Sequence, residues 1–135
     1  MTYEDIRRNE EVCALLKRGN DNLGVLGYTE HSQAHCALVA ERAAYILRKT
    51  GHDSHTQELA RIAGFMHDIG NVINRKDHAQ SGAVMAFRIL DNMNCDPEDT
   101  ATIITAIGNH DESTAFPVNP VAAALIIADK CDVRS

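Results

Sequence analysis

The chain has 135 residues, 44% of them hydrophobic and 24% charged, with 13 Lys and Arg against 19 Asp and Glu. Enough apolar surface is present to offset chain entropy, which excludes a disordered chain, and the formal charge of −6 lacks the basic footprint of a general nucleic-acid binder. The longest apolar run, 121–128, falls far short of the roughly 20 residues that a membrane-spanning helix needs. Residues 1–8 are too polar for a secretory signal, and four scattered cysteines without a CxxC pair suit reduced thiols, so the expected compartment is the cytoplasm. The length suits one domain over 1–135.

Helical punctuation runs through the chain, and strand signals are nearly absent. The pattern predicts a first helix over 3–18 closed by Gly19, then a glycine-rich loop over 20–29. A long helix follows over 31–49, with Cys36, Val39, Ala43, Ile46 and Leu47 on one side and Gly51 as its stop. Ser54 and Gln57 have capping-box spacing, so Ser54 is the expected N-cap of a helix reaching His67 and ended by Gly70. After a short polar loop over 71–77 comes a helix over 78–93. Asp96-Pro97-Glu98-Asp99 opens the next with a capping carboxylate, proline at the first helical position and acids in the first turn. Asn119-Pro120 opens the last. The expected architecture is all-α, with about six helices.

The informative residues are polar groups on apolar faces. Ile103, Ile107 and His110 follow the i, i+4, i+7 spacing of a buried stripe, as do Ala60, Gly64 and His67. Ala122, Ile126, Asp129 and Val133 place a carboxylate within another such stripe. A buried carboxylate needs a partner, and adjacent Lys130 points about 100° away on a helix, so a metal ion is the economical explanation. His35 lies at the edge of an apolar face, His67-Asp68 ends a helix and His78 opens one. Singly, each has a plainer reading. A histidine on an apolar face is more often a hydrogen-bonded core residue, and Asp68 can cap a helix or pair with Arg61 or Arg75. Together the six form a mixed imidazole–carboxylate set, which suits zinc, iron or nickel and tilts towards iron or manganese. His52 and His55, in a polar loop, are expected to face solvent.

The order of these residues is familiar. His35 to Ala43, Gly64-Phe65-Met66-His67-Asp68-Ile69-Gly70, His78 to Ala83, Ala106 to Asp111 and Ile127 to Lys130 together resemble the HD-domain metal-dependent phosphohydrolase superfamily, in the order H…HD…H…H…D over 35–129. The resemblance implies a helical fold converging on a metal site, with His35, His67, Asp68 and Asp129 as the core metal set and His67 and Asp68 as the catalytic pair. His78 and His110 match the extra histidines of two-metal members, which implies two divalent ions. Two-metal HD-GYP phosphodiesterases carry a GYP motif after this region and a paired His-His. This chain has Glu112-Ser113-Thr114 and His110-Asp111 instead, which points away from a cyclic-dinucleotide phosphodiesterase and means that one second-site ligand is either replaced by Asp111 or missing. Asn71 stands where many relatives carry lysine.

The activity so implied is hydrolysis of a phosphate ester or anhydride of a small molecule such as a nucleotide, through a metal-activated hydroxide. Arg75 and Lys76 are candidates for holding phosphate, Lys130 and Arg134 follow Asp129 towards the same pocket, and His31, one helical turn before His35, is a further substrate-binding candidate. The alternative is a catalytically weak regulatory or binding module on the same fold. No partner beyond a phosphorylated small molecule is implied, and self-association is left open. The helix carrying Asp129 is expected to continue beyond the last residue.

Overall fold

The computed structural model describes residues 1–29, 32–113 and 115–131; His31 and Arg134 lie outside them. The described residues form seven α-helices and no strand: α1 Tyr3–Arg7, α2 Glu10–Val25, α3 Gln33–Lys49, α4 Ser54–Met66, α5 His78–Asn92, α6 Pro97–Gly108 and α7 Pro120–Cys131. A 3-10 turn, Ile69–Val72, separates α4 from α5. The all-α expectation holds.

Helix α4 is the central element and packs against α1, α3, α6 and α7. Its Ile62, Phe65 and Met66 meet Val39, Ala40 and Ala43 of α3, Ile103 and Ile107 of α6, and Ala122 and Leu125 of α7 in one buried cluster. Both proline-started helices begin where expected. The Asp96 carboxylate accepts from the backbone N–H groups of Glu98 and Asp99 at 3.1 and 3.3 Å, and Asn119 Oδ1 accepts from Ala122 N at 2.8 Å.

Three local expectations need correction. The first helix is two helices, because Asn9 starts a new one by accepting from Val12 N at 2.9 Å. Gly19 then lies inside α2 instead of closing a helix, and most of the expected loop over 20–29 is helical as far as Val25. Packing accounts for the glycine: a Cβ there would stand 3.0 Å from Val72 N and 3.3 Å from Asn71 Cβ, so its absence lets the 3-10 turn lie directly on α2. Asn22 Nδ2 secures that contact by donating to the Val72 carbonyl at 3.2 Å. The N-cap of α4 is Asp53, not Ser54. Asp53 Oδ1 accepts from Thr56 N at 2.8 Å and Thr56 Oγ1 at 2.6 Å, while Gln57 turns to the His52 carbonyl. A carboxylate one residue earlier offers the charged cap that the positive end of the helix favours.

His52 is half-buried, contrary to expectation, and His55 is exposed as expected but paired, its Nε2 lying 2.9 Å from Asp99 Oδ1. The bond to Asp99 raises the His55 pKa above the ordinary value of 6.5. A raised folded-state value means that the pair stabilises the fold fully below pH about 6.5 and loses that contribution as pH rises through the folded pKa. NMR titration should therefore place His55 above the free-histidine range, with Asp99→Asn returning it; a wild-type midpoint at or below the free value would contradict the pairing.

Candidate metal centre

Four histidines and two aspartates arrive from five places in the chain. His35 comes from the first turn of α3, His67 is the C-cap of α4, and Asp68 follows it into the 3-10 turn. His78 opens α5, His110 lies just past α6, and Asp129 is in the last turn of α7. All four histidines and Asp68 are buried, and Asp129 is half-buried.

Three of the rings are oriented by the same device. The Nδ1–H of His67 donates to the Gly64 carbonyl at 2.6 Å, that of His78 to Arg75 at 2.9 Å, and that of His110 to Ile107 at 2.6 Å. Each acceptor lies three residues earlier, so the local backbone fixes the tautomer and directs Nε2 into the cluster.

Asp68 joins the two halves. Its Oδ2 lies 3.5 Å from His35 Nε2 and 3.2 Å from His67 Nε2. Its Oδ1 lies 3.6 Å from His78 Nε2, 3.9 Å from His110 Nε2 and 3.7 Å from Arg75 Nη1. Asp129 Oδ1 completes the first half, 3.6 Å from His35 Nε2 and 3.3 Å from His67 Nε2. Two triads, His35–His67–Asp129 and His67–Asp68–His110, have their donor atoms within 4.8 Å of one another, the spacing of a metal site.

The electrostatics around His67, Asp68 and Asp129 favour a cation. His67 Nε2 is fully buried and meets hydrogen-bond geometry with neither carboxylate. Burial opposes protonation of His67, but Asp68 and Asp129 outweigh it and raise its pKa well above the usual range. Burial also opposes ionisation of Asp129, yet the facing His35 and His67 imidazoles hold it far below the usual carboxylate range. On the other side, burial and the nearby Arg75 charge lower the pKa of His78, and burial with the neighbouring His67 brings that of His110 to about 4. Both rings are therefore neutral near pH 7. Their Nε2 atoms face each other at 3.2 Å, two lone pairs that a shared cation would satisfy. Imidazole nitrogens and carboxylate oxygens fit a borderline divalent ion.

The HD-domain family model matches residues 33–134, which include all six of these side chains. The chain belongs to the HD-domain family. An uncharacterized protein of Methanocaldococcus jannaschii is 28% identical to this HD domain over 108 residues, covering 69% of the chain and 42% of that protein. A crystal structure from an uncultured Thermotogales bacterium, described as a predicted HD superfamily hydrolase, superposes with a TM-score of 0.69 at 26% identity. That match covers 90% of this chain and 66% of the other. The HD domain thus spans less than two thirds of either relative's length.

The six residues singled out in the sequence do converge, and Arg75 joins them. Lys76 and Lys130 are exposed. Asp111, the candidate substitute ligand, is half-buried, and its Oδ2 accepts from Ser113 Oγ at 3.1 Å. Arg61, one proposed partner of Asp68, instead pairs with Glu58 at 3.1 Å and Glu41 at 3.4 Å. Asn71, noted in the sequence only for standing where many relatives carry lysine, is buried and accepts from Arg75 Nη1 at 3.2 Å, a contact that sequence reasoning missed. Its four-residue spacing from Arg75 was the available signal.

Proposed function

We propose that this HD domain is a metal-dependent phosphohydrolase that cleaves a phosphate ester or anhydride of a small molecule, with a nucleotide as the favoured class. The observation that carries the reading is the Asp68 carboxylate, which turns one oxygen to His35 and His67 and the other to His78 and His110. His35, His67, Asp68 and Asp129 would hold one ion; His78, His110 and the second oxygen of Asp68 would hold another, with iron or manganese favoured by the donor set. Divalent ions there would supply Lewis acidity towards water and the phosphoryl oxygens. The chain's own contributions are separate. Backbone carbonyls lock three imidazoles in the tautomer that leaves Nε2 free to bind, Asp68 sets the spacing of the two halves, and Arg75 supplies a cation for the phosphoryl group. The description of the Thermotogales relative as a hydrolase supports the reaction class.

Elemental analysis together with a panel of phosphate esters, assayed with manganese, iron and cobalt, tests the reading. Turnover that disappears in Asp129→Ala supports it; bound metal without turnover across the panel would make the chain a binding module. His78→Ala and His110→Ala should each lower the stoichiometry from two ions towards one while the fold is retained. An unchanged stoichiometry in both variants would remove the second ion from the proposal.

A further inference from the structure

The side of the cluster nearest Arg75 contains a support that the ligand set does not require. Asn71 is 3% exposed and lies in the 3-10 turn held against α2 by the close approach at Gly19 and the Asn22 bond to Val72. Its Oδ1 accepts from Arg75 Nη1 at 3.2 Å, and the same Nη1 lies 3.7 Å from Asp68 Oδ1. The Arg75 backbone carbonyl also accepts from His78 Nδ1 at 2.9 Å. Arg75 therefore meets the His78–His110 half at both ends: its backbone orients one imidazole and its guanidinium reaches the shared carboxylate. An arginine side chain is long and rotamer-rich, and an exposed one samples many positions. A fixed amide oxygen four residues earlier removes much of that freedom. Nη1 carries two of the five guanidinium N–H groups, and the remaining three suffice for a two-point contact with a phosphoryl group.

We propose that Asn71 is a positioning residue, which holds the Arg75 guanidinium beside Asp68 so that it binds a phosphoryl oxygen of the substrate. The inference rests on the phosphohydrolase reading above and names the device by which that site grips an anion. Asn71 touches no substrate itself. Its effect passes through Arg75, and that distinguishes it from a residue that merely fills space between the 3-10 turn and α2.

The test is a double-mutant cycle on the manganese-loaded full chain, with inorganic phosphate as the probe and calorimetry as the readout. Asn71→Leu keeps the number of side-chain heavy atoms without the acceptor, and Arg75→Gln removes the cation from a position with 31% side-chain exposure. Each single variant should weaken phosphate binding about tenfold, the scale of one charge-assisted hydrogen bond, with manganese stoichiometry unchanged. The double variant should bind no more weakly than Arg75→Gln alone, because Asn71 has nothing left to position. An equal further loss from Asn71→Leu in the Arg75→Gln background, or wild-type affinity in Asn71→Leu, overturns the inference while leaving the phosphohydrolase reading intact. Wild-type affinity in Arg75→Gln overturns it as well. Failure of the wild-type chain to bind manganese overturns the broader reading and this inference with it. If Asn71→Leu unfolds, Asn71→Ser, too short to reach the guanidinium, takes its place in the cycle.

Discussion

Exchange of Asp68 for alanine is expected to remove bound metal almost completely and to lower phosphoester turnover by about a thousandfold or more. No other side chain in the cluster has so many roles: its two oxygens face His35 and His67 on one side and His78, His110 and Arg75 on the other. Loss of the His35, His78 or His110 imidazole leaves one half of the cluster largely complete. Loss of Asp68 removes an anionic ligand from both, and with it the charge that draws a cation towards His67. Thermal unfolding separates this from general damage. A metal that binds only the folded chain stabilises it by mass action, by about 4 kcal/mol at a thousand times its dissociation constant. A chelator should therefore lower the melting temperature of the wild type and leave that of Asp68→Ala almost unmoved. Equal sensitivity to chelator in both proteins would assign the stabilising ion to another site.

The second large effect is expected from Gly70→Ala, one methyl group in a segment where there is no room for it. A Cβ on Gly70 would run into the His78 carbonyl oxygen and stand 2.8 Å from Gly82 N and 2.9 Å from the His78 carbonyl carbon. All three obstacles are backbone atoms of α5, so no side chain can rotate aside and the helix itself must shift. Overpacking of this kind costs about 3 kcal/mol or more, equivalent to roughly a 10 °C fall in melting temperature for a chain of this size. The shift would also carry His78 away from Asp68, so second-ion binding should weaken along with stability. Gly108→Ala is the control: its Cβ would meet Ala83 Cβ at an ordinary 3.6 Å, and the change should stay within about 1 kcal/mol. Chemical denaturation of the two variants side by side checks the contrast, and similar midpoints would show that α5 tolerates displacement at this crossing.

Both expectations concern residues that stand out in the sequence, yet for different reasons. Asp68 is legible as part of the HD pair and Gly70 as a residue near a helix end. The order of the five motif blocks, the proline-started helices at Pro97 and Pro120, and the imidazoles and carboxylates on apolar faces follow from short-range rules. Capping depends on three or four neighbouring residues, and an apolar stripe is written in the spacing of one helix. These local rules also fail locally: Asp53 displaces Ser54 as a cap because its carboxylate, one residue earlier, accepts from Thr56 N and carries a charge.

The amino-acid sequence by itself therefore determined the helical class, most helix starts and the six polar residues of the candidate metal centre. Their arrangement was decided by tertiary packing. Gly19 reads as a helix stop, but it lies within α2 because the 3-10 turn passes too close for a side chain, a contact between segments some fifty residues apart. The division of the Asp68 oxygens between two pairs of histidines depends on how α3, α4, α5 and the end of α6 meet. Asn71 stood out in the sequence only as a replacement for lysine, and its contact with Arg75 depends on the burial of the turn that carries it. Spacing along one helix records which side chains share a face, but contacts between helices depend on interlocking surfaces that only the assembled core brings together.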